Sequence, residues 1–99
     1  MTLHSALPPA LPLAPESGAP KPGDSYVQSF ARGLEVIRSF SATAPEQTLS
    51  EVASRTGLTR AGARRILLTL QTLGYVESDG KWFRLTPRIL DLGFAYLSS

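Results

Sequence analysis

Residues 48–73 read TLSEVASRTGLTRAGARRILLTLQTL. The stretch holds two helix beginnings and two helix ends. Thr48 followed by Glu51 fits a capping box, in which hydroxyl and carboxylate each satisfy the other's free backbone N–H. Leu49, Val52 and Ala53 form the apolar face of that helix, and Gly57 suits the left-handed backbone that ends one. Thr59 is placed to cap a longer helix over Arg60–Leu73, with Leu58 ahead of it as a hydrophobic staple and Gly74 as its stop. A two-turn helix, a glycine-containing turn and a longer basic helix make the helix-turn-helix pattern.

Upstream, SFARGLEVIRSF (Ser29–Phe40) predicts another helix. Phe30, Leu34 and Ile37 recur at helical spacing and Phe40 closes the stripe, while Arg32, Glu35 and Arg38 take the polar side. Ser25 or Ser29 serves as its N-cap, and Ala42–Pro45 ends it. Downstream, Tyr75–Ser78 and Lys81–Leu85 read as strands joined by Asp79-Gly80, a signal for a type I′ turn with positive φ at both positions. Phe83 and Leu85 point inward, so Arg84 and Trp82 point out. A small extra strand around Gln47–Leu49 pairs with this hairpin. Thr86 and Pro87 then start a last helix as N-cap and first helical residue, with Leu90, Phe94 and Leu97 on one face and Ile89 and Tyr96 beside it. The expected fold is mainly α with a small β-hairpin. It is a winged helix-turn-helix, a three-helix core plus a two- or three-stranded wing, with a C-terminal linker helix.

The expected layout is a Pro-rich tail over 1–24, a winged helix-turn-helix over 25–86 and the start of a linker helix over 87–99. Six of the eight prolines fall before residue 23 and favour extended backbone there. A linker or leader is the plain reading of this tail; a docking motif is the other. The apolar pattern still runs at residue 97, so the chain reads as a fragment, or as one whose last helix packs on a second subunit. A folded part this small is marginal by itself. With no cysteine, and its one histidine, His4, in the tail, disulfides and zinc are not expected to support it. No cofactor is expected. The cysteine usage fits a reducing cytoplasm, and no run of about 20 apolar residues suggests a membrane span. Nor is an enzyme expected: the sequence has no phosphate-binding glycine loop, no metal-ligand cluster and no base to activate a nucleophile.

Net charge is only +2, but Gly57–Leu73 holds three arginines and no acid. At ~100° per residue, Ala63, Ile66, Leu67, Leu70 and Leu73 share one side of the helix, the expected core face. Ala61, Arg65, Leu68 and Thr72 lie opposite, with Arg64 on the flank and Arg60 in the first turn, able to reach past the helix end. An ordinary solvated face mixes signs, and basic residues in a first turn oppose the helix dipole. A helix whose N-terminal half is basic and acid-free suits the DNA major groove, where arginine pairs with guanine. The candidate DNA contacts are Thr59, Arg60, Ala61, Arg64 and Arg65 on this helix, Ser50 on the supporting helix toward phosphate, and Lys81 and Arg84 on the wing. The alternative is a winged helix that binds protein and no DNA. RNA binding lacks the aromatic platform that single-strand binders use.

SFARGLEVIRSF, LSEVASRTGL, ARRILLTLQTLGYV and FRLTPRILDLG together resemble the N-terminal domain of IclR-type bacterial transcription regulators, over about residues 26–97. RAGARRILLTL and LTPRILDLGFAYLSS are most similar to the branch regulating aromatic-acid catabolism through the β-ketoadipate pathway. The resemblance implies a helix-turn-helix over about 49–68 and a palindromic (inverted-repeat) double-stranded DNA operator bound by a homodimer or tetramer. It also implies dimerisation partly through the first helix and linker, and a small aromatic-acid-type effector bound by a C-terminal domain outside this chain. Many members carry serine, threonine or valine where Gly62 and Ala63 sit here.

Overall fold

The computed structural model describes residues 25–98. Elements follow in the order α1 (Gln28–Arg38), β1 (Glu46–Thr48), α2 (Leu49–Thr56), α3 (Arg60–Leu73), β2 (Val76–Ser78), β3 (Trp82–Leu85), a 3-10 turn (Pro87–Ile89) and α4 (Leu90–Leu97). The expectations for the tail, including His4, lie outside the described residues.

Capping residues fix α2 and α3 where the sequence put them. The Glu51 N–H donates to Thr48 Oγ1 at 3.3 Å and the Thr48 N–H donates to Glu51 Oε1 at 2.9 Å, so the capping box is complete. The Gly62 N–H donates to Thr59 Oγ1 at 3.0 Å. Gly57 and Gly74 end their helices at φ of 75° and 90°, backbone that a Cβ would strain.

α1 departs from expectation. Its N-cap is Val27, with no side-chain bond, and neither Ser25 nor Ser29 caps it. The helix stops at Arg38, before a turn in which Ser41 and Ala44 exchange backbone hydrogen bonds. Val36 is fully buried, whereas Phe30 is 67% exposed and Leu34 is also exposed. The Phe30–Leu34–Ile37 stripe is real, but the core takes the adjoining face through Val36 and Phe40, with Ile37 on the boundary.

The core gathers Val36, Phe40, Val52, Ala53, Ala63, Leu67, Leu70, Val76 and Phe83. Leu73, expected inside, is exposed at the end of α3. The three strands form one antiparallel sheet in the order β1-β3-β2, with Glu46↔Arg84 and Glu77↔Arg84 as cross-strand partners. The extra strand is therefore β1, one residue earlier than expected.

The hairpin turn is not type I′. Among the described residues no non-glycine φ is positive, and only Gly80 in this turn is, at 106°. The Asp79 carboxylate explains it, accepting the N–H groups of Lys81 at 3.0 Å and Trp82 at 2.9 Å. Those bonds hold Asp79 at negative φ and open the connection, so β2 ends at Ser78 and β3 begins at Trp82. They, above all, set the Asp79 carboxyl below its usual pKa, with a smaller contribution from the Arg84 charge.

Thr86 caps as expected, accepting from the Arg88 N–H, but it caps a 3-10 turn before α4 proper begins. The same hydroxyl donates to the Gly74 carbonyl at 2.6 Å, and the Thr86 N–H donates to the Tyr75 carbonyl at 2.9 Å. The Arg88 guanidinium lies over the Tyr75 ring at 5.9 Å. All of α4 is exposed, Leu90, Phe94, Tyr96 and Leu97 included.

Candidate nucleic-acid interface

α2 and α3 bring most of the expected contact residues to one surface. α3 buries Ala63, Leu67 and Leu70, which turns Ala61, Arg64, Arg65 and Leu68 to solvent. Its first turn holds no acid, and among the described residues no carboxylate pairs with Arg64 or Arg65. Both guanidiniums are therefore available to an anion. The two arginines differ in setting, since Arg65 also borders the groove between α1 and α3.

Arg60 takes a more defined position than its sequence predicts. Its Nη1 donates to Ser50 Oγ in the first turn of α2. Two side chains ten residues apart thus join the N-terminal ends of both helices. Ser50, Thr59 and Arg60 form one edge of the surface, with the helix N-termini supplying N–H dipoles beneath them.

The wing divides the two residues assigned to it. Lys81 is exposed at the hairpin tip, its ammonium 5.8 Å from the Trp82 ring centroid. Arg84 is committed elsewhere. Its guanidinium meets Glu46 at 2.8 Å, Glu77 at 3.4 Å and Asp79 at 3.8 Å. The hydrogen bond to Glu46 is the largest cause of the upward shift in its pKa. Arg84 clasps all three strands from their outer face, with three acids around it. A phosphate would have to compete with those acids for the Arg84 guanidinium. The sequence carried the signal, since Glu46 and Glu77 both flank β-forming residues, but only the register sets both opposite one arginine.

A groove of about 610 Å³ runs between α1 and α3. Phe30, Leu34 and Ile37 line one wall, and Ile66, Leu70 and Leu73 the other. It lies to one side of the basic surface and shares Arg65 with it. Among the described residues no acid or histidine cluster could hold a metal, and no helix is long and apolar enough to cross a membrane.

The sequence profile of the IclR helix-turn-helix domain matches residues 29–80, from the second residue of α1 to just past β2. The chain belongs to the IclR family. Within it, the chain is 46% identical over 74 residues to the Pca regulon regulatory protein of Pseudomonas putida, covering 75% of this chain and 25% of that protein. It is 43% identical over 74 residues to the Pca operon regulatory protein of Acinetobacter baylyi, covering 75% and 27% respectively. A solved transcriptional regulator of Rhodococcus sp. RHA1 superposes with a TM-score of 0.70 at 63% identity, covering 74% of this chain and 29% of that one. An IclR homologue from Microbacterium hydrocarbonoxydans, solved with 4-hydroxybenzoate, gives 0.59 at 26% identity, covering 65% and 27%. The chain thus spans about a quarter of the length of its curated relatives and carries the IclR helix-turn-helix, a DNA-binding domain of transcription regulators.

Proposed function

We propose that residues 25–86 bind a specific double-stranded DNA operator, with α3 as the recognition helix in the major groove. The observation that carries this reading is the exposed, acid-free N-terminal half of α3, where Arg64 and Arg65 have no carboxylate partner among the described residues. Thr59, Ala61, Arg64 and Arg65 face the groove, where Arg65 pairs bidentately with guanine and Arg64, on the flank, neutralises backbone phosphate. Ser50 and Arg60 hold phosphate at the shared edge of the two helices, and Lys81 reaches backbone from the wing tip.

The operator is an inverted repeat bound by a homodimer or tetramer. The exposed apolar side chains of α1 and α4 are the surfaces that subunits cover. Residues 87–99 start the linker toward an effector domain. The likeness to two Pca regulators supports control of aromatic-compound catabolic genes, and the homologue solved with 4-hydroxybenzoate supports a small aromatic acid as effector. The protein works in the cytoplasm and performs no catalysis.

The test is the salt dependence of binding. Arg64→Ala/Arg65→Ala should weaken specific binding and reduce the slope of log affinity against log salt by about 0.9 for each phosphate no longer neutralised. A mixed-sequence duplex at low salt serves as the reference. An unchanged affinity and slope would remove α3 from the interface, and no binding to any duplex would favour a protein-binding winged helix.

A further inference from the structure

Resting on the reading of α3 as the recognition helix, we propose that Ala61 and Leu68 read thymine 5-methyl groups on either side of a base read by Arg65. At ~100° per residue, Ala61, Arg65 and Leu68 fall within about 60° of one another, opposite the buried Ala63. Leu67 is fully buried and its neighbour Leu68 is 39% exposed, so α3's rotation is fixed by its own core. Ala61 is exposed in the first turn.

One exposed leucine on a protein surface is ordinary. This one lies on the ridge that enters the groove, in line with an exposed alanine and an exposed arginine. Neither apolar side chain carries a donor or acceptor, so neither reads the hydrogen-bonding pattern of a base edge. The thymine methyl is the apolar group that the major groove presents, and alanine and similar side chains contact it. Arg60 is drawn toward Ser50, which leaves the Ala61 methyl foremost in the first turn. Ala61 and Leu68 are seven residues apart, about 10 Å of helix rise, or about three base steps at 3.4 Å each. The half-site is therefore two thymines about three bases apart, with a guanine for Arg65 between them.

The test is a methyl scan. Duplexes enriched by the protein from a randomised pool are resynthesised with each thymine in turn replaced by deoxyuridine, and affinity is measured by fluorescence anisotropy at fixed salt. Loss of one buried methyl is expected to weaken binding about fourfold. Two such positions per half-site are expected, about three bases apart. The thymine-to-uracil ratio should fall to one at the first position in Ala61→Gly and at the second in Leu68→Ala. Each ratio is taken within a single variant, so a reduced folded fraction cancels. The proposal is overturned if no uracil weakens binding, or if both ratios persist in the variants. Failure to bind any unsubstituted duplex would instead sink the recognition-helix reading itself.

Discussion

Gly62 occupies the third position of α3, yet its φ is not among the positive values that demand glycine. Glycine inside a helix costs about 0.5–1 kcal/mol relative to alanine, so Gly62→Ala should recover some of that. The opposing effect is local. A Cβ at residue 62 would meet Thr59 Oγ1 at 3.2 Å, the oxygen that caps the helix. If the methyl displaced that hydroxyl, the cap would be lost, at about 1 kcal/mol. The neighbouring helix shows which outcome to expect. Glu51 holds the same position in α2, carries a Cβ, and still donates to Thr48 Oγ1 at 3.3 Å, against 3.0 Å at Gly62. The cap therefore lengthens rather than breaks, and Gly62→Ala should stabilise the domain by about 0.5 kcal/mol. For a domain this size that raises the melting midpoint by about 2–4 °C. Thermal unfolding followed by circular dichroism measures it, with Thr59→Ala and the double variant completing a cycle. Thr59→Ala should cost nearly as much in the Gly62→Ala background as in the parent chain. If Gly62→Ala instead destabilises by about 1 kcal/mol or more, and Thr59→Ala then costs nothing further, the methyl breaks the cap and the comparison with α2 fails.

Leu67→Ala should cost about 2–5 kcal/mol in urea unfolding and Leu68→Ala less than about 1 kcal/mol, because neighbours on a helix point ~100° apart and only Leu67 turns into the core; equal costs would refute that rotation of α3. Gln47 is fully buried, its Nε2 donating to Ser39 Oγ at 3.1 Å while Oε1 finds no partner among the described residues. Gln47→Met gives up one modest bond and one orphaned acceptor, and should change stability by between zero and a gain of about 1 kcal/mol in the same assay. Asp79 has a folded-state pKa below its ordinary 3.8, so its contribution is full above that value and drains away as pH falls through the lower, folded value. Asp79→Asn should flatten the loss of stability in that acid range, as read by unfolding at about pH 6, 4 and 3.

The boundaries of α2 and α3 were legible because they are written in local chemistry. Thr48 with Glu51, Gly57, Thr59 and Gly74 each act on backbone groups within four residues, and each does so in the structure. The core face of α1 was not legible in the same way. The helix carries two apolar rows, and periodicity reports a row without saying what lies across from it. Val36 wins because α2 and α3 pack on its side, which leaves Phe30 for the groove wall. The hairpin turn was misread because a side chain competed with the backbone preference, Asp79 taking the Lys81 N–H that a type I′ turn gives to the Ser78 carbonyl, and the Trp82 N–H as well. Arg84 and Arg60 show the remaining gap. Their partners lie up to 38 residues away in the chain and become neighbours through strand register and helix packing. On the candidate surface the sequence located the arginines of α3; it did not show that Arg84 belongs to the sheet.

The joint at Gly74 ties the end of α3 to the start of α4. Thr86 donates to the Gly74 carbonyl, the Thr86 N–H bonds Tyr75, and a Cβ on Gly74 would sit 2.9 Å from Arg88 Nε. The two hydrogen bonds fix residue 86, from which the last turn and α4 depart, to the chain that leaves α3. α4 therefore has a fixed origin on the domain, set by backbone and hydroxyl bonds rather than by the packing of its own exposed side chains.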